Sequence, residues 1–262
     1  MSLNVLIVEG NNPKDSEVFI RAAKATCSEN FKNIVLKLEP TSNVTIINPV
    51  NDNETNKALE YMDQYNGIIF TGGAMRLNDM TDEIKKHINF ASNCFKHKNK
   101  ILAICWGLQV CSTAAGGKVA PGKNGAHIGI ATDVEINEDG KKNLIYKNKK
   151  PKFNTPAFNF DEVSELPKGA TLLASDKVNN IMGVHFKSEN SEVWGLQYHP
   201  DYEYWQMINL SNERMGKMIA KEYFKDEETF KKHIDFIKFE EKSLDFKNKT
   251  YEIQNWLDII KN

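Results

Sequence analysis

An α/β fold, with a central and mostly parallel sheet carrying helices on both faces, is what this 262-residue chain predicts. Two observations carry that expectation. Over the first ~115 residues, short apolar runs alternate with helix-compatible segments, the pattern of parallel strands joined by crossover helices. In the middle third the pattern changes to short strand-like pieces at a spacing that suits antiparallel additions to the same sheet. From about residue 205 onward the chain reads as helical, so the expected organisation is a domain over residues 1–205 and a helical extension over 206–262.

The elements follow in order. Asn4 to Val8 is a buried strand, broken by Gly10-Asn11-Asn12-Pro13. Pro13 suits the first turn of a helix, expected to run to about Ser28. Val44 to Ile47 is a second strand, and Thr55 to Tyr65 a helix. Gly67 to Phe70 is a third strand, ending in Thr71-Gly72-Gly73. Ile84, Ile88, Ala91 and Phe95 then mark one face of an amphipathic helix. Ile101 to Ile104 is a fourth strand, and it runs directly into Cys105, Trp106 and Gly107. The middle pieces are Ile128 to Ile130, Val134 to Ile136, Leu144 to Tyr146, Thr171 to Ala174, Ile181 to His185 and Val193 to Tyr198. Lysines between 141 and 152 read as a solvated hairpin. In the tail, Ile253, Trp256, Leu257 and Ile260 have helical spacing. Those helices either cap their own domain or pair with a second protomer.

Composition bounds the function. A formal net charge of −1 gives no global field for nucleic acid or an anionic membrane. No apolar run approaches the ~20 residues that span a bilayer. Neither a nucleic-acid nor a membrane partner is expected. Four cysteines occur, at 27, 94, 105 and 111, in no zinc-like spacing, so no metal is expected. Without a secretory signal, the chain reads as a reduced cytoplasmic protein. Cys27, Cys94 and Cys111 lie in helical patterns as packing residues. His87, His97 and His233 read as structural, with His87 on a surface helix; His127 and His185 are candidates for a pocket.

Cys105 stands apart. A buried strand that stops abruptly and becomes a helix exposes the turn residue at the carboxyl edge of the sheet, the arrangement of a nucleophile elbow. The following helix favours the thiolate through its N-terminal dipole. A thiolate nucleophile needs a base, and the base needs an orienting carboxylate. His199 follows the strand that ends in Tyr198, and in an extended conformation Asp201 points its side chain the same way. The tetrahedral oxyanion of acyl transfer needs backbone N–H donors, which Thr71-Gly72-Gly73 supplies at another strand end.

These motifs together resemble the class I (triad) glutamine amidotransferases. The nucleophile motif G-x-C-x-G-x-Q is matched by Ala103-Ile104-Cys105-Trp106-Gly107-Leu108-Gln109, with Ala at the first position. The oxyanion motif is matched by Thr71-Gly72-Gly73-Ala74, and the closing motif by Gly195-Leu196-Gln197-Tyr198-His199-Pro200-Asp201, with Asp for the usual Glu. Glu165-Leu166-Pro167 and the helical tail are similar to the stand-alone GMP-synthase-like subgroup, although Asn159-Phe160-Asp161 departs from its pocket-rim segment. The resemblance implies a flavodoxin-like sheet and hydrolysis of a glutamine or γ-glutamyl amide through a thioester on Cys105. It implies that His199 is base and acid and that Asp201 orients it. The oxyanion hole would be formed at Gly73 and Trp106, and Gln109 and Gly72 would contact substrate. No cofactor is implied. The ammonia either passes to a separate synthetase partner or is released by a stand-alone γ-glutamyl hydrolase. A non-catalytic binding protein on the same fold is the third reading.

Overall fold

In the computed structural model, which describes residues 2–261, the first strand β1 (Asn4–Val8) is buried along its last four residues. Its alternating side chains serve two cores: Val5 and Ile7 join one apolar cluster, Leu6 and Val8 the other. That alternation requires cover on both faces, and the helices provide it. The expected helix from Pro13 ends early, as α1 (Pro13–Ala23), because Lys24 turns left-handed with φ 65°. Thr26 then opens α2 (Cys27–Leu38) with a capping box completed by Glu29.

The pattern continues through β2 (Asn43–Ile47), α3 (Asp52–Glu60), β3 (Gly67–Phe70), α4 (Asp82–Phe95), β4 (Lys100–Ile104) and α5 (Trp106–Ala114). The helix expected over Thr55 to Tyr65 is replaced at its end by a 3-10 turn at Met62–Gln64. Beyond α5 come β5 (Lys118–Pro121), β6 (His127–Ile128), β7 (Ala131–Ile136), α6 (Glu138–Lys142), β8 (Lys152–Thr155), β9 (Phe158–Asn159) and β10 (Asp161–Glu165). Then follow β11 (Thr171–Ser175), β12 (Gly183–Ser188) and β13 (Ser191–Leu196). The tail comprises α7 (Tyr204–Glu213), α8 (Met215–Ala220), α9 (Glu227–Glu241), α10 (Phe246–Lys249) and α11 (Tyr251–Lys261).

Nine strands form the main sheet in the order β2-β1-β3-β4-β13-β12-β11-β7-β8. From β2 to β13 every pairing is parallel; from β13 to β8 every pairing is antiparallel. So β13, expected among the antiparallel additions, belongs to the parallel core through β4 as well. Gly195 lets α5 pack closely on this strand: a Cβ there would lie 2.3 Å from Leu108 Cδ1 of α5.

Two middle expectations fail for one reason, which is contact with the tail. Leu144–Tyr146 is a 3-10 turn instead of a strand, and Asn255 of α11 donates to the carbonyls of Ile145 and Lys147 at 2.9 and 2.8 Å. The lysine segment is not a hairpin either, although Lys141, Lys142, Lys147, Lys150 and Lys152 are exposed as expected. Lys149 is buried in an ion pair with Glu252 of α11 at 3.0 Å. The tail packs on its own chain. Ile253, Trp256, Leu257 and Ile260 cover the face that Val5, Ile7, Leu102 and Ile104 present. Gly67 is seated under Trp256, where a Cβ would lie 2.7 Å from the indole. No helix among the described residues is long and apolar enough to cross a membrane.

Candidate active site

The order β3-β4-β13 puts three strand ends side by side, and Thr71-Gly72-Gly73, Cys105 and His199 therefore meet at the carboxyl edge of the sheet. Cys105 has φ 50° and ψ −106°, a conformation that for a residue with a Cβ costs on the order of 1–3 kcal/mol. The strain is held from several sides. The Cys105 N–H donates to the Leu196 carbonyl at 2.7 Å, and the Cys105 carbonyl accepts from Gln109 N–H at 3.1 Å to start α5. Gly107 lets α5 press onto β3, since a Cβ there would sit 2.4 Å from the Phe70 carbonyl oxygen. The methyl of Ala103 is absorbed in the apolar cluster, opposite Gly195 in the register.

His199 is fixed by its own N–H, which donates to the Pro156 carbonyl at 2.8 Å, and by an edge-on contact with Tyr202 at 5.0 Å. Its Nδ1 lies 3.0 Å from Asp201 Oδ1, so the carboxylate that is one methylene shorter still reaches the ring. The backbone carbonyl of Asp201 accepts from Asn30 Nδ2 at 2.7 Å, tying this turn to α2. Burial pulls the imidazole pKa down, but the Asp201 carboxylate and the Cys105 sulfur outweigh it and raise it to about 10. Gly72 lies beneath the ring: a Cβ on it would be 2.5 Å from His199 Cε1.

Around the sulfur, the Phe158 carbonyl lies 3.7 Å away and Gln197 Nε2 donates from 3.4 Å. Gln109 lines the same pocket, with its Nε2 donating to the Asp161 carbonyl at 2.9 Å. Gly73 packs against the Gly10 carbonyl, where a Cβ would come within 2.5 Å, and Ala74 N–H donates to Asn11 Oδ1 at 2.7 Å. The first amides of a helix have no intrahelical acceptor, and Trp106, the first residue of α5, follows Cys105 directly and lines the same pocket. The indole of Trp106 meets His87 at 4.7 Å. His87, expected on a surface helix, is fully buried, and burial lowers its pKa to about 3.

The pocket that contains Cys105 has a volume of about 400 Å³. Gly73, Trp106, Gln109, Asn159 and Asp161 form part of its wall, and the helical tail supplies Arg214, Lys217, Met218 and Tyr223. Arg76 lies at its rim, paired through two nitrogens with Asp161. Neither of the other candidate histidines lines it: His127 bridges Asn159 and Asp176, and His185 is paired with Glu192 at 2.8 Å. A separate hollow of about 550 Å³ lies between β2 and α3, lined by Asn43, Lys57, Tyr61 and neighbours, away from these groups.

The family model for glutamine amidotransferase class-I matches residues 25–206. The chain belongs to this family. Among its curated relatives, the γ-glutamyl-L-1-hydroxyisopropylamide hydrolase of a Pseudomonas species is 26% identical over 83% of this chain and 74% of that protein. The glutamine-hydrolyzing GMP synthase component of Methanococcus vannielii is 29% identical over 66% of this chain and 80% of its own. A glutamine amidotransferase crystal structure from Thermotoga maritima superposes with a TM-score of 0.69 over 99% of this chain and 98% of the other, at 18% identity, and shows the same fold. As a class-I amidotransferase, the chain is an enzyme. Gln197 lies within the matched closing motif and so is visible in the sequence. Phe158 and Arg214 are not, because only the tertiary fold brings β9 to the sulfur and the α7–α8 junction to the pocket wall.

Proposed function

We propose that this amidotransferase hydrolyses glutamine-type γ-glutamyl amides through a thioester on Cys105. The observation that carries the reading is the alignment of the Cys105 elbow with a buried His199–Asp201 pair across adjacent strand ends. The Cys105 sulfur attacks the amide carbon as a thiolate, and a C–S bond forms. The carbonyl oxygen takes the negative charge, stabilised by the N–H groups of Gly73 and Trp106. His199 gives its proton to the departing nitrogen, the C–N bond breaks, and ammonia or an amine leaves. Water then adds to the thioester carbon with its proton passing to His199. The C–S bond breaks and glutamate is released. Asp201 holds the imidazole in the orientation both steps need, and Gln109 positions substrate beside the sulfur.

Release of product to water is supported by the Pseudomonas relative, which acts on a substituted γ-glutamyl amide and is matched over most of this chain. Transfer of ammonia to a separate synthetase partner is the second reading, favoured by the likeness to the glutamine-hydrolyzing component of GMP synthase. We place the enzyme in a reducing, cytoplasmic setting, supported by four free cysteines. The deciding experiment measures release from L-glutamine and from N-substituted γ-glutamyl amides by wild type, Cys105→Ser and Cys105→Ala. Loss of turnover in both variants with unchanged circular dichroism is expected. Retained turnover in either would overturn the mechanism. Turnover of substituted amides in preference to glutamine selects the hydrolase; turnover of glutamine that rises on adding cell extract selects the amidotransferase.

A further inference from the structure

Most charges around the pocket already have partners. Arg76 is held by Asp161, and Arg21 lies 3.8 Å from Glu213. Lys217 and Lys221 are exposed to solvent. Two part-buried charges remain. Asp15, in the first turn of α1, and Arg214, between α7 and α8, both line the pocket. Among the described residues neither side chain has a hydrogen bond or an ion pair, either with the other or with a third group.

Arg214 is well positioned for all that. Its guanidinium lies over the rings of Phe158 and Phe19, 4.9 and 5.8 Å from their centroids. Burial lowers its pKa, while Tyr202 and Asp15 act in the opposite direction. A cation removed from water without a counter-charge is unfavourable unless a ligand supplies one. Phe158 also sets the spacing: its ring carries Arg214, and its backbone carbonyl faces Cys105 Sγ at 3.7 Å. Phe158 thus touches both the Cys105 sulfur and the Arg214 guanidinium, and both residues line the same pocket.

We propose that Asp15 and Arg214 form a clamp for the α-amino acid head of the substrate, with Arg214 binding the α-carboxylate and Asp15 the α-ammonium. This assignment rests on the pocket being that of a γ-glutamyl amide hydrolase. The two charges are held apart on different elements, α1 and the α7–α8 junction, and a zwitterion between them completes both at once. A planar guanidinium suits a carboxylate through paired N–H donors. A site built this way discriminates against analogues that lack one of the two groups, because a buried charge is then left without its partner.

Calorimetric titration of the full chain with L-glutamate, glutarate and 4-aminobutyrate tests the clamp without requiring turnover. Glutarate lacks the amine, and 4-aminobutyrate lacks the α-carboxylate. Wild type should bind L-glutamate at least about 10-fold more tightly than either analogue, from the strength of charged hydrogen bonds. Asp15→Asn should erase the preference over glutarate and leave that over 4-aminobutyrate; Arg214→Gln should do the reverse, and Arg214→Lys should restore part of it. The ligand series on wild type stands even if a variant folds poorly. Equal or absent binding of the three ligands, or preferences that survive both substitutions, overturns the clamp. Hydrolysis of γ-glutamyl-p-nitroanilide, followed in parallel, separates the two readings. Preferences with no turnover remove the Cys105 reaction and keep the clamp, whereas turnover without preferences does the opposite.

Discussion

At Gly72 the absence of one methyl group allows His199 to stand beside Cys105. A Cβ there would lie 2.5 Å from His199 Cε1, so Gly72→Ala must displace the ring. Misplacing a catalytic group by about 1 Å lowers rate on the order of 100-fold, so with His199 as the proposed base kcat should fall by that factor with little change in melting temperature. The charge on the same imidazole makes a second prediction. Its pKa in the folded protein is about 10, above the ordinary 6.5, so the stabilisation from its proton is complete below about 6.5 and is lost as pH rises through about 10. A stability profile between those limits should decline toward high pH in wild type, and the decline should be weaker in Asp201→Asn, which lacks the carboxylate that holds the proton. A profile unchanged by that substitution would argue against the Asp201 pairing. His87 titrates with the opposite sign. Its pKa lies near 3, so protonation as pH falls below 6.5 opposes folding, and His87→Leu should flatten part of the acid slope.

Among the elements, α11 illustrates what a sequence does and does not reveal. Its stripe of Ile253, Trp256, Leu257 and Ile260 is legible from spacing, because an amphipathic helix must bury one face. What it buries against is not legible, since nothing local links residue 256 to Gly67. Trp256→Ala should destabilise the whole chain by about 3–5 kcal/mol, read from denaturant midpoints. The Lys149–Glu252 pair joins the same helix to the middle segment, and both side chains are buried. Glu252→Gln leaves an ammonium without its counter-charge, and a loss of about 3–5 kcal/mol is expected. This pair also explains why the Lys149 side chain is buried in a segment whose other lysines are exposed as expected. A run of lysines looks solvated until the fold supplies a buried carboxylate. By contrast, the three strand ends are legible because each announces itself locally: an apolar run, then Gly-Gly, Cys or His-Pro.

On the scale of the whole molecule, the family match ends at residue 206, yet the tail beyond it both covers one face of the sheet and walls the pocket that holds Cys105. Motif matching locates Cys105, the proposed nucleophile, because the motif is a short run of neighbouring residues. The pocket wall made by Arg214, Lys217 and Tyr223 follows from how α7 and α8 pack, and no motif encodes it. A chain truncated after residue 205 should therefore lose cooperative unfolding as well as activity, measurable by calorimetry. The burial of the cysteines has a practical side. Cys27, Cys94 and Cys111 are enclosed within the protein, and burial is the main force pushing their thiols upward in pKa, whereas Cys105 opens on the pocket. A chromogenic disulfide reagent should thus report one fast equivalent per native chain and the remaining three only after denaturant is added. Cys105, the proposed nucleophile, is then a built-in titrant, and the fraction of native molecules in any preparation can be counted before a substrate is known.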